Sequence, residues 1–316
     1  MLKTLRLAAL MSVITLSPFD LAAAQADGLN VVASFSIIGD FARNVGGDRV
    51  NITTIVGPDG DAHVYEPSPA DATAMAKAHV VLVNGLHFEG FLQRLVEASG
   101  TKATVVELTK GITPLEFKPE FAEEDEGHET AEAGAEHDPG NIDPHAFQSI
   151  ANAKIYVANI ADAFCAADAA GCDSYKANAA AYAGKLDALE KHVKDAVAAI
   201  PPEKRTIITS HDAFGYFEHE YGLVFRAPEG ISTEAEPSAA DVAKLIDQVR
   251  EEKAAAVFVE NITNQRLIEQ IASETGLKIG GTLYSDALSP ADGPASTYID
   301  LMKHNIATIK GAILGS

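Results

Sequence analysis

The sequence predicts an α/β protein of two doubly wound lobes joined by a single long linker helix. Two observations carry this. Short runs rich in Val, Ile and Thr alternate with amphipathic stretches in both halves of the chain, the pattern of parallel sheets faced by helices. Between the halves, Ser174 to Ile200 keeps an unbroken helical spacing of apolar residues.

In the first half, strands are expected at Leu29–Phe35, Val50–Val56, Val80–Asn84 and Ala103–Leu108. Helices are expected at Ile37–Val45, Ala70–Ala78 and Phe88–Ala98. The alternation then stops. Residues 122–142 (AEEDEGHETAEAGAEHDPGNI) hold eight acidic residues, two His and no basic residue. With no apolar face to bury, this segment is expected to be a flexible acidic loop. Helical spacing returns at Ala151–Phe164.

The long helix places Tyr175, Ala179, Tyr182, Leu186, Leu189, Val193, Ala196 and Ile200 on one stripe, and Pro201-Pro202 ends it. At about 1.5 Å per residue it runs roughly 40 Å, enough to cross a whole molecule. The second half then offers strands at Thr206–Ser210, Val224–Ala227, Ala255–Glu260 and Lys278–Leu283. Its helices are expected at Asp212–Tyr221, Ser238–Glu252, Gln265–Glu274 and Thr297–Leu314, with Ser238 as an N-cap. The expected boundaries are a leader at 1–26, a first lobe at 27–173, the helix at 174–200 and a second lobe at 201–316.

The leader is read from its layout. Lys3 and Arg6 precede the apolar run Leu7–Leu16, Pro18 breaks it, and Ala22–Ala26 offers small residues for cleavage. The run falls short of the roughly 20 residues a membrane span needs. No Cys stands near the cleavage site, so no lipid anchor is expected. A soluble, exported, periplasmic protein follows, and a monomer is expected. The two cysteines, Cys165 and Cys172, are expected to form a disulfide in that oxidising compartment. A redox or metal-thiolate pair would need a tighter motif and more ligands.

The chain has 316 residues, 47% of them hydrophobic, which is ample for a sizeable core. Its formal net charge of −21 argues against nucleic acid or an anionic membrane as partner and suits cations or basic surfaces. With no Trp, stacking platforms for bases or sugars are disfavoured.

Four polar groups share one kind of location. His63 follows the strand Val50–Val56, His211 follows Thr206–Ser210, Asp286 follows Lys278–Leu283, and His145 opens a helix. Ligands of α/β sheets bind beyond the carboxyl ends of the strands. Two groups come from each half, so a cleft between lobes brings all four together. Three imidazoles and a carboxylate form an N₃O set that suits Zn²⁺. Ligand imidazoles need partners for their other ring N–H. Asp61, Glu66, His87 and Asp212 are candidates to support the ligands. A zinc hydrolase is the competing class, but the chain has no HExxH helix and no GxSxG elbow, and no enzyme is expected.

Gly57–Pro69 (GPDGDAHVYEPSP), Asn84–Glu89 (NGLHFE), Asp143-Pro144-His145, Ser210–Phe217 (SHDAFGYF) and Tyr284–Leu288 (YSDAL) identify a family. Over about residues 29–314 the chain resembles the zinc/manganese solute-binding proteins of ABC transporters (cluster A-I). The resemblance implies a metal site at His63, His145, His211 and Asp286. It implies delivery of the metal to a membrane permease, with small lobe motion. Manganese members tend to carry Glu at the third position and zinc members His, so His211 points to the zinc branch, with manganese as the alternative. The acidic loop matches a His/acid-rich loop of the family but holds only His128 and His137. It is expected to act as a solvated tether or as an auxiliary element. In the auxiliary role it would capture metal, steer it to the cleft, or dock a periplasmic zinc metallochaperone.

Overall fold

The computed structural model describes residues 28–117, 142–235 and 237–315. The leader expected at 1–26, the acidic segment apart from Ile142, and with it His128 and His137, lie outside the described residues.

Two four-stranded parallel sheets form the molecule, and they share one strand order. The first holds β1 (Leu29–Phe35), β2 (Val50–Val56), β3 (Val80–Val83) and β4 (Thr104–Glu107) in the order β2-β1-β3-β4. The second holds β5 (Thr206–Ile208), β6 (Val224–Arg226), β7 (Val257–Glu260) and β8 (Ile279–Leu283) in the order β6-β5-β7-β8. The central strands β1 and β3 are buried almost throughout, as parallel strands covered on both faces must be. The edge strand β2 alternates half-buried and exposed residues over most of its length.

Nine α-helices surround the sheets among the described residues: α1 (Ser36–Gly46), α2 (Pro69–Lys77), α3 (Leu92–Ser99), α4 (Ile150–Ala167), α5 (Cys172–Ala198), α6 (Gly215–Tyr221), α7 (Ala239–Glu252), α8 (Gln265–Thr275) and α9 (Tyr298–Leu314). None is long and apolar enough to cross a membrane. Local chemistry fixes their starts. Ser68 and Asp71 exchange bonds in a capping box ahead of Pro69, and Ser149, Ser238 and Thr297 cap α4, α7 and α9.

Helix α5 packs against α1 and α4 of the first lobe and α6 and α9 of the second. Its buried stripe runs Tyr175, Ala179, Tyr182, Leu186, Leu189, Val193 and Val197. The sequence pattern placed Ala196 there. A strict seven-residue repeat drifts around a straight helix, and Val197 has taken over by the last turn. The helix ends at Ala198, two residues before Ile200, because Pro201 disfavours helical backbone in the residue before it.

Asp40 of α1 ties three helices together. Its Oδ2 accepts from Tyr182 Oη of α5 at 3.3 Å and from the backbone N–H of Tyr298 on α9 at 3.0 Å. Burial pushes this carboxyl up from its ordinary range, and these donors temper the shift. One hydrophobic core runs through both lobes, and a smaller cluster around Leu245, Ile268 and Ile271 sits under α7 and α8. Cys165 and Cys172 are joined, clamping the end of α4 to the start of α5. A loop this short contributes at most about 3 kcal/mol by loop-closure entropy.

Two helices start later than the apolar pattern proposes. Helix α3 begins at Leu92 rather than Phe88, because Glu89 turns back on the chain. Its Oε1 accepts from Ser34 Oγ and from the Asn84 backbone N–H, both at 2.6 Å. Helix α6 begins at Gly215 rather than Asp212, because His211 and Asp212 first run beside Glu229 and Gly230.

Candidate metal centre

Four segments meet between the two sheets. The loop 57–67 after β2 carries His63. A tight turn before α4 carries His145. The extension of β5 carries His211, and the segment after β8 carries Asp286. Their ligand-type atoms all lie within 4.8 Å of one another. His145, His211 and Asp286 are wholly buried, and His63 is 7% exposed.

Asp286 Oδ2 is the hub. It lies 3.2 Å from His63 Nε2, 3.1 Å from His211 Nε2 and 3.6 Å from His145 Nε2. The Nε2 atoms of His63 and His145 are 3.4 Å apart. The other carboxylate oxygen, Asp286 Oδ1, is buried and has no hydrogen-bond partner among the described residues. A buried acceptor left unpaired costs about 1–3 kcal/mol, so this oxygen fits a cation.

Each of two imidazoles has a carboxylate behind it. His145 Nδ1 lies 2.8 Å from Asp143 Oδ1, which also accepts from the His145 backbone N–H at 2.9 Å. His211 Nδ1 lies 2.7 Å from Glu260 Oε2. Glu260 Oε1 accepts from the backbone N–H groups of Ser210 and His211 at 2.7 and 2.9 Å. One carboxylate thus braces the strand end through Oε1 and sets a negative charge beside the ring through Oε2. With each Nδ1 facing a carboxylate, the Nε2 lone pairs face the cluster.

The carboxylates also set the charge. Burial pulls His145 toward its neutral form, but Asp286 and Asp143 outweigh it and push the imidazole up to about 9. Burial likewise opposes protonation of His211, and Glu260 and Asp286 overcome it, lifting it well above its ordinary value. Burial pushes Asp286 up, yet His145 and His211 hold it well below the usual carboxylate range.

Hydrogen bonds within the first lobe and across the lobes hold the segments together. Asn84 Nδ2 donates to Pro144 O, fixing the residue before His145. Gln148 Nε2 donates to Ser285 O beside Asp286. Leu288 N–H donates to Ser36 Oγ, and Leu288 O accepts from Asp59 N–H.

The residues proposed from sequence to support the ligands fare differently. Asp61 reaches the His63 backbone N–H at 2.8 Å and accepts from Thr233 Oγ1 of the other lobe. Glu66 is 81% exposed at its side chain and lies 3.8 Å from Arg94. His87 is exposed at the cleft rim. Asp212 is half-buried and lines a separate depression with Asp143 and His219. Asp143 and Glu260, which take the ring N–H positions, were missed. Each left a trace in the sequence: Asp143 stands two residues before His145, and Glu260 closes an otherwise apolar strand.

Solved structures share the whole architecture. The chain aligns with the manganese-bound periplasmic metal-binding protein from Candidatus Liberibacter asiaticus at TM-score 0.76 and 31% identity, covering 90% of this chain and 98% of that one. It aligns with the periplasmic zinc-binding protein TroA from Treponema pallidum at TM-score 0.79 and 26% identity, covering 90% and 99%. Among relatives, it is 36% identical over 282 residues to the manganese-binding lipoprotein MntA of Halalkalibacterium halodurans, 89% of this chain and 87% of that one. It is 34% identical over 315 residues to the iron-binding protein YfeA of Yersinia pestis, 96% and 95%. The model of the family described as zinc-uptake complex component A, periplasmic (ZnuA), matches residues 31–312, and the chain belongs to that family, the extracytoplasmic metal-binding components of ABC transporters rather than enzymes.

Proposed function

We propose that the protein is a periplasmic high-affinity zinc-binding protein that captures Zn²⁺ and delivers it to an ABC transporter permease. In this reading the Nε2 atoms of His63, His145 and His211 and the carboxylate of Asp286 hold the cation. The supporting observation is the convergence of three imidazoles and one hub carboxylate, all buried, with one oxygen of that carboxylate unpartnered among the described residues. A nitrogen-rich, four-donor set suits zinc, and manganese draws on more oxygen. Several relatives are named lipoproteins, which runs against the expectation from sequence of a form without a lipid anchor.

Manganese is the second reading, supported by the relatives and neighbours named for it. A titration of chelator-stripped protein with zinc and manganese, beside His211→Glu, separates the two. The zinc reading expects one tight zinc site, weaker manganese binding, and loss of zinc preference in the variant. A tight manganese site in the wild type supports the second reading. Zinc binding indifferent to His211 refutes the ligand assignment.

Glu260→Gln is expected to weaken zinc binding by about 10- to 100-fold without unfolding the protein, because the ring loses its anionic partner but keeps its place. Competition against a chelator of known affinity measures it, and an unchanged affinity would show that Glu260 only braces the strand end.

A further inference from the structure

The four donors are approached by a cleft at His63. A cleft of about 190 Å³ touches His63 and none of the other three donors. One wall is the segment 86–90 of the first lobe and the other is 231–234 of the second. Of the cleft's residues, only His63, His87, Ser232 and Glu234 carry side-chain atoms that a cation can use. His87 and Glu234 are both exposed and line the cleft from opposite lobes.

The backbone spends energy to put His87 there. Gly85, Leu86 and His87 are all in the left-handed region, with φ of +86°, +54° and +62°. Two consecutive non-glycine residues in that region are strained. The turn is anchored from behind by Glu89, which takes backbone bonds from Asn84 and Gly85. On the other wall, segment 229–230 runs alongside His211 and Asp212, and Thr233 Oγ1 bonds to Asp61 on the His63 loop. Both walls are therefore fixed to the segments that carry His211 and His63. Between them stands Gly90, where an added Cβ would sit 3.4 Å from Glu234 Oε1. The neighbouring depression that contains Asp143 touches none of the four donors.

Building on the proposed zinc site, we propose that His87 and Glu234 form a vestibule site for the incoming divalent cation. A hydrated cation exchanges some of its water for one imidazole and one carboxylate at the rim. It then passes to His63, the innermost vestibule donor and the outermost donor of the buried cluster. Stepwise ligand exchange avoids stripping all its water at once in a buried space.

Such a site speeds passage in both directions without belonging to the bound state. Stopped-flow association and dissociation of Zn²⁺ should therefore show both rates falling by about tenfold in His87→Ala and Glu234→Gln, with Kd unchanged. Gly90→Val, which narrows the passage while keeping both donors, should slow both rates as well. Two outcomes overturn the vestibule: rates like wild type in all three variants, or a weakened Kd with the association rate unchanged. Failure of the zinc site itself is read separately, as wild-type Kd in His211→Ala.

Discussion

Asp286→Asn is expected to weaken zinc binding by about a hundredfold or more, roughly 3 kcal/mol or greater. The reason is charge rather than donor count. Neutral imidazoles leave the cation's two charges uncompensated in a buried site, and Asp286 is the carboxylate within 3.1–3.6 Å of all three Nε2 atoms. Asparagine keeps the shape and an oxygen donor and removes the charge. Calorimetric titration beside wild type gives the loss directly. A loss below tenfold would mean that the cation is held elsewhere, or that Asp143 and Glu260 supply the compensation from behind the rings.

The pH dependence should be nearly as large. His145 is held at about 9, so a proton and the cation compete for its ring across the neutral range. Zinc affinity should rise at least tenfold per pH unit between about 6.5 and 9, because His211 is lifted as well, with proton release on binding. The metal-free protein should show the opposite slope. The pair of protonated His145 with Asp286 and Asp143 is fully formed below about pH 6.5, the ordinary histidine value. Its stabilisation is lost as pH rises through about 9. Melting temperatures of the metal-free form should therefore decline over the window in which affinity increases. Affinity flat from pH 6.5 to 9 would show that no proton is displaced from these rings.

Much of the fold was legible because each lobe is built from local alternation. Strands β1 and β2 were bounded from sequence as they stand in the structure: β2 lies between Gly47–Arg49 and the loop at Gly57, and β1 passes directly into the helical spacing of α1. The identical order of the two sheets was not legible, because pairing between distant strands leaves no local signal in one sequence. The starts of α3 and α6 were missed for a related reason. Phe88 and Phe91 have helical spacing, yet Glu89 and the left-handed turn before it override propensity. For the site, strand-end position marked His63, His211 and Asp286, and a place at the start of a helix marked His145; the fold brings all four together. Glu66 drew attention by its nearness in sequence to His63 but projects outward to solvent. Glu260 escaped notice because its role depends on β7 lying beside β5, a pairing between strands some fifty residues apart.

The four donors come from four segments spread from residue 63 to residue 286: three follow strands of the two sheets, and His145 sits on the turn before α4. A bound cation therefore works as a non-covalent cross-link over most of the chain. At a thousand times its Kd a ligand adds about 4 kcal/mol against unfolding. On the proposed function, cargo and durability would be one property: molecules that have handed over their ion would be the fraction most open to proteases, so metal supply would set how long each molecule lasts as well as how much it carries.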